Sequence, residues 1–430
     1  MKHDRKIRLN RTLGFWSLLF CSIGAILGAG IYVLIGKAAG ITGNSVWLSF
    51  GFSALLAVFT GLSYAELVSM FPKSSAEYGY TKKALGERIG FVTGMQIIIA
   101  GFASAATVAI GFAGYFSRLF DTSIVPVAVI LIILLSMIMV YGIKESATMA
   151  IIFTLVEMVG LIIVIIVGIP HLGRVDYFSM PQGFSGIFAA AALIFFAYIG
   201  FEEITRLGEE TKDPEKTIPK ALLFSIAIST VFYILVAIAA VSVIDWNILG
   251  ESKAPLAEVV ATALGSKAFL LISLIALFAT ANTALFMMVA NSRIIYGMAV
   301  EKILPSKLGY ILESRKTPLY AILITMIVTI LFAIVEKIET VASLTDFALF
   351  LVFFTINLVV IIMRYKQPET VRPFKMPLNF GKLPVIALFG MLASLVMAFH
   401  IDTVMIVYGT LILAGLFLAY EAMKRCTFQF

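Results

Sequence analysis

Apolar residues run along this chain in long blocks, parted by short polar stretches. Windows of about 20 apolar residues, the length a helix needs to cross a bilayer, predict twelve spans. They lie near 13–36, 45–70, 90–118, 124–143, 147–169, 185–207, 217–243, 266–300, 317–336, 341–363, 383–400 and 402–423. The first block is too long for a signal-peptide core and has no small-residue cleavage site, so it reads as a retained anchor. No soluble domain stands between the blocks. The longest loops, about 72–89 and 301–316, are polar and read as places for short amphipathic helices along the membrane surface. The segment QPETVRPFKMPLNFGKLP (367–384) reads as a Pro-rich, basic connector between spans ten and eleven.

Composition agrees with the pattern. Of 430 residues, 61% are hydrophobic and 13% charged. A soluble chain of that length has no means of hiding so much apolar surface, which makes this an all-α polytopic membrane protein. The net charge of +7 is a matter of topology. With the N-terminus inside, 26 of the 32 Lys and Arg residues fall on the cytoplasmic side, as the positive-inside rule requires. The expected setting is the cell membrane with both termini cytoplasmic, and no nucleic-acid partner. Cys21 and Cys426 make no disulfide framework, and His3, His171 and His400 share no metal-ligand spacing with them. Neither metal nor cofactor is expected. No nucleophile set and no Walker motif is present, so the pattern points to neither an enzyme nor an ATP-driven pump.

Two spans look interrupted. IGAILGAGIY (23–32) sets Gly24, Gly28 and Gly30 inside span one, although each Gly costs roughly 0.8–1 kcal/mol against Ala in a helix interior. FFAYIGFEEI (195–204) sets Gly200 just before Glu202 and Glu203 in span six. Paired interruptions in corresponding positions of two halves point to a transporter built from inverted repeats. The divisions expected are a cytoplasmic N-terminus (1–12), a first repeat of spans one to five (13–180) and a second of spans six to ten (181–365). Spans eleven and twelve with their preceding loop (366–423) and a cytoplasmic C-terminus (424–430) complete the chain. Unwound backbone at bilayer depth is tolerated only where something satisfies it. A zwitterion does so, its carboxylate on helix N-termini and its ammonium on free carbonyls. The competing explanation for the glycines is close helix packing through small residues.

IGAILGAGIYVLIGKAAG resembles the first span of the amino acid–polyamine–organocation (APC) transporter superfamily. FFAYIGFEEITRLGEETKDPEKTIPKAL resembles its sixth span and following loop, NSRIIYGMAVEKILP the end of its eighth, and RPFKMPL the loop before its eleventh. The similarity runs in order from about residue 8 to 400 and is nearest to the cationic amino acid transporter branch and the broad-specificity prokaryotic amino acid–proton symporters. It implies a five-plus-five inverted repeat with two extra spans and broken helices one and six. Around Gly28, it implies that Ala29 and Gly30 offer N–H groups to a substrate carboxylate. The carbonyls of Ile26, Phe196 and Ile199 would take the ammonium. Phe196 matches an aromatic gate, or is an ordinary core aromatic. Met287 matches a position lining the side-chain pocket, or faces lipid or core.

Carboxylates at bilayer depth are functional candidates by default. Glu66, in the last turns of span two, reads as structural or gate-pairing. Glu202 and Glu203 point about 100° apart on a helix. Glu202 matches a family position with a gating or proton-handling role, and its other reading is a cap on the broken helix. Asp346 is placed near the outer mouth of span ten, in solvent. Glu157 is mid-span, eleven residues after Ser146, where many relatives carry Lys. Desolvation disfavours the charged form of an unpaired carboxyl there, so Glu157 either carries a transported proton, stays ionised beside a cation, or makes a neutral structural hydrogen bond. Arg206 and Arg293, the nearest bases in sequence, are assigned to cytoplasmic ends. The expected function is secondary active amino acid transport, coupled to H+ as symport by alternating access. The alternative is an antiporter exchanging an amino acid for its decarboxylated amine. Small and apolar pocket residues favour neutral substrates, and the sequence leaves the oligomeric state open.

Overall fold

The computed structural model describes residues 9–252, 254–334 and 338–427. His3 and the side chain of Cys426 lie outside the described residues. In a bilayer each backbone N–H and C=O must be satisfied within the chain, so apolar blocks of this length fold as helices. Span one is Phe15–Leu27 followed by Ala29–Thr42, span two Val46–Met70, span three Glu87–Phe120, span four Ile124–Tyr141 and span five Ile143–Gly168. Span six is Gly183–Ile194, continued by tighter helical turns at Phe195–Tyr198 and Glu203–Glu210. Spans seven to twelve are Pro214–Val243, Ser266–Val300, Leu319–Ile334, Ile338–Lys366, Val385–Phe399 and Thr403–Thr427.

The inverted repeat shows in how these elements pack. The first half of span one lies on span seven, and the first half of span six lies on span two. The breaks themselves cross: Gly200 sits against Ala25, and Gly30 against Ala197. The link between spans seven and eight, Trp246–Glu251, packs on the second half of span one. Its counterpart between spans two and three, Ala76–Leu85, reaches the second half of span six through Glu77 and Arg206.

The loops differ from the surface helices expected. Ala76–Leu85 is helical, but Glu77, Tyr78 and Tyr80 are buried against the bundle. In 301–316 the helical structure is one short turn at Ser306–Gly309, with Leu312 bridged to Thr317 beyond it. The connector carries a two-residue hairpin, Asn379–Phe380 on Leu383–Pro384. The N-terminal segment runs under span six: the N–H groups of Thr12 and Leu13 each donate to Glu210 O at 3.0 Å, and Lys212 N donates to Leu13 O at 2.9 Å. Arg88 and Glu421, 3.2 Å apart, bring the end of the last helix to the start of span three. Both ends of the described chain therefore lie on the membrane face that Ala76–Leu85 covers.

Candidate functional site: the crossed breaks of spans one and six

The break in span one is confined to Gly28, whose φ of −57° and ψ of −123° leave the helix for one residue. No side chain caps the helix that restarts at Ala29. Ala29 and Gly30 therefore occupy the first turn of a helix, where N–H groups lack acceptors in their own helix. Gly28 packs against Thr283 and the carbonyl of Ala279 on span eight. In span six the helix tightens at Phe195–Tyr198, turns extended at Ile199 (φ −57°, ψ 135°), and passes through Gly200 at φ +123°. A residue with a Cβ is strained at that φ, so glycine is what lets the chain reverse there.

Carbonyls gather where the breaks cross. The Tyr233 hydroxyl of span seven meets both Ile26 O and Ala197 O, the latter at 2.6 Å. One phenol proton serves two acceptors. Phe196 O accepts from Ile199 N at 3.3 Å. Phe196, Ile199 and Met287 are buried. Met287 lies four residues beyond Thr283, about one helical turn along the same face. Glu202 accepts from Gly200 N, two residues before it, at 3.1 Å, and makes no side-chain cap on the Glu203–Glu210 turns that follow.

Gly24 holds the second half of the site. Its missing Cβ would stand in the space of Thr154 Oγ1 and Asn282 Nδ2, and 3.2 Å from Glu157 Oε1. Polar side chains of spans five and eight thus converge on bare span-one backbone. Asn282 Nδ2 donates to Thr154 Oγ1 at 3.0 Å, Thr154 Oγ1 lies 3.0 Å from Phe20 O, and Thr283 Oγ1 donates to Gly24 O at 3.2 Å. Glu157 is 0% exposed, and neither carboxylate oxygen has a hydrogen-bond partner among the described residues. The Tyr32 hydroxyl reaches only its main-chain oxygen, at 3.1 Å. Such a constellation suits a proton or a small cation.

Arg206 and Arg293, assigned to span ends, pair there with loop and span-end carboxylates and not with Glu157. Arg206 donates to Glu77 at 2.9 and 3.1 Å, and Arg293 is bidentate to Glu210 at 3.0 Å, all four side chains being buried. Asp346 is the expectation that needs correction: it is not solvated but 2% exposed, and its Oδ1 has no partner among the described residues. It lies one turn before Phe350, whose ring packs 5.1 Å from Phe195, so it is on the face of span ten turned to the bundle. Glu66 accepts from Arg364 Nε at 2.8 Å and from Met376 N at 3.0 Å, which ties span two to span ten and to the connector. Thr154, Asn282, Thr283 and Tyr233 were missed in the sequence. The available signal was a polar side chain inside an apolar block, as at Asn282 in ATANTALF.

Comparisons with known proteins place this geometry. Residues 13–418 match the amino acid permease family, and the chain belongs to it. The branched-chain amino acid permease BcaP of Bacillus subtilis is 30% identical, over 93% of this chain and 90% of that protein. The methylthioribose transporter of the same organism is 30% identical, over 86% and 84%. Cationic amino acid transporter 1 of Arabidopsis thaliana is 27% identical, over 85% of this chain and 64% of its own length. A solved manganese transporter variant of Eremococcus coleocola superposes with a TM-score of 0.59 at 14% identity, covering 99% of this chain and 98% of its own. That last likeness shows a shared fold.

Proposed function

We propose that this permease carries neutral amino acids together with a proton, by alternating access around the crossed breaks. The substrate carboxylate binds at Gly28, Ala29 and Gly30, and its ammonium at the carbonyls of Ile26, Phe196 and Ile199. The two carbonyls contending for one Tyr233 proton support this, because an ammonium brings three donors to a place that is short of them. Its side chain lies toward Met287. Phe196 and Glu202 gate the site, and Glu157 and Glu202 handle the proton. The two repeats at 13–180 and 181–365 rock about this centre, in the cell membrane, with both termini in the cytoplasm. The likeness to BcaP supports an aliphatic side chain, as does the apolar character of Phe196, Ile199 and Met287.

The observation that carries the proton is Glu157: a fully buried carboxyl without a base, beside the element that breaks. Taking an unpaired charge out of water is costly, and protonation removes the cost. The test is uptake of labelled amino acids into liposomes without sodium, at equal pH and under opposed gradients. Uptake that rises with acid outside, and loses that dependence in Glu157→Gln, supports the proposal. Uptake that ignores the gradient and needs internal amino acid or amine favours the exchanger of the same superfamily. Uptake that is absent under these conditions and appears when sodium is added would make the Thr154, Glu157 and Asn282 oxygens a cation site instead.

A further inference from the structure

On the face covered by Ala76–Leu85, three carboxyls surround one guanidinium. Arg206 Nη2 lies 2.9 Å from Glu77 Oε1 and 3.9 Å from Glu202 Oε1, and Nη1 lies 4.0 Å from Glu203 Oε1. All four side chains are at most 3% exposed. The charged groups in reach of Glu203 are these others, Arg206, Glu202 and Glu77. Tyr64 and Tyr80 complete the titratable surroundings, both beside Glu77 and Arg206. With every carboxyl ionised, three negative charges would face one positive charge out of water. Carboxylates crowded into one buried site do not all ionise.

The partners single out which carboxyl is neutral. Glu77 accepts from Arg206 through Nε at 3.1 Å and Nη2 at 2.9 Å, and from the Tyr64 hydroxyl at 3.3 Å. Glu202 accepts from Gly200 N at 3.1 Å. Among the described residues Glu203 has only the 4.0 Å approach to Arg206, and its Oε2 is buried with no hydrogen-bond partner. We propose that Glu203 is a proton-binding site distinct from Glu157, and that its proton is exchanged with the opening of this face. While the face is closed, Glu77 holds Arg206 and Glu203 stays a neutral acid. When Ala76–Leu85 withdraws, Glu77 leaves with it. Glu203 then gives its proton to entering water and takes over Arg206 as a carboxylate. One carboxylate replaces another at the guanidinium, and one proton enters solvent. This goes beyond the proposed symport, because it holds equally for an exchanger and makes no use of Glu157.

A native reporter stands nearby. Cys21 is buried on span one in a small cavity with Leu13 and Leu207, under the N-terminal segment. The experiment uses the full-length protein with Cys426→Ser, followed by two readouts that need no substrate. The first is the infrared carbonyl stretch of protonated carboxyls, and the second is the rate of Cys21 alkylation against pH. The ratio of variant to unmodified rates cancels the ionisation of the thiol itself. Glu203→Gln is expected to lose one component of the carbonyl stretch, which Glu157→Gln leaves in place. Its labelling rate should fall behind as pH rises. Glu77→Gln frees Arg206 in the closed state, so it should also lose the Glu203 component and label quickly at every pH. An unchanged carbonyl stretch in both variants, or a rate ratio flat with pH, overturns the proposal. Because Glu77→Gln leaves Glu203 itself untouched, a Glu203→Gln protein that fails to fold does not end the test. A failure of proton symport shows in uptake alone and leaves both readouts standing.

Discussion

Replacing Gly24 by Ala asks why a membrane helix weakens itself at its middle. Intrinsic preference favours Ala by roughly 0.8–1 kcal/mol. In this fold the added methyl enters space that Thr154 Oγ1 and Asn282 Nδ2 already fill, and meets Glu157 Oε1 at 3.2 Å. Gly111 on span three is the control, since nothing lies within 4 Å of its absent Cβ. The propensity gain is common to both substitutions and cancels in their difference. What remains is overpacking, about 1–3 kcal/mol, and the Asn282–Thr154 hydrogen bond, on the order of 0.6 kcal/mol within a membrane. Gly24→Ala should therefore be less stable than Gly111→Ala by about 1.5–3.5 kcal/mol, the sum of those two terms. Reversible unfolding in mixed micelles measures this, and uptake in liposomes reads whether Gly24→Ala also loses transport. Equal stability of the two variants would refute the convergence of Thr154, Glu157 and Asn282 on span-one backbone.

Tyr233→Phe removes the hydroxyl shared by Ile26 O and Ala197 O. A substrate ammonium then displaces nothing, so the KM for uptake should fall about threefold, the equivalent of roughly 0.6 kcal/mol; a raised KM would make the hydroxyl a support of the site. Glu210→Gln leaves Arg293 with Ser292 as its one remaining side-chain partner and should cost about 3–5 kcal/mol. Glu77→Gln should cost less, about 1–3 kcal/mol, because Glu202 and Glu203 stand 3.9 and 4.0 Å from Arg206; unfolding midpoints of the two variants decide the order.

Span positions were legible because hydropathy reports depth, and both breaks were legible because Gly24, Gly28 and Gly200 offend against helix preference in plain view. Azimuth and partnership were not. Arg206 and Arg293 sit near the ends of apolar blocks, and the sequence names no partner for either. Their partners Glu77 and Glu210 come from the helix between spans two and three and from the end of span six, and only the fold joins them. Asp346 misled for the same reason: its depth in span ten was read, but its turn toward Phe195 depends on packing. The extent of the first break also escaped pattern reading. Three glycines suggest a long unwound stretch, yet Gly28 alone leaves the helix, while Gly24 and Gly30 serve close approaches to Asn282 and Ala197.

The placement of charge separates what is fixed from what moves. Glu66–Arg364, Glu77–Arg206 and Glu210–Arg293 each join different elements, and each is buried. Parting such a pair without replacement costs more than a transport step easily supplies, about 3–5 kcal/mol. Elements held by a pair without a spare partner should therefore move as one body. Arg293 has no second carboxyl beside it among the described residues, so it couples span eight to the end of span six through Glu210. Arg206 is different, since Glu202 and Glu203 are near enough to succeed Glu77. The joint between Ala76–Leu85 and span six is thus the one that parts by exchange of carboxylates, with no guanidinium left bare. The neutral Glu203 makes that exchange possible, because a cluster already fully ionised would have no proton to release. The small cavity lined by Leu207 and Cys21 lies beside this joint, because Leu207 follows Arg206 directly. Movement at the joint therefore reaches Cys21 on span one before any other buried thiol among the described residues.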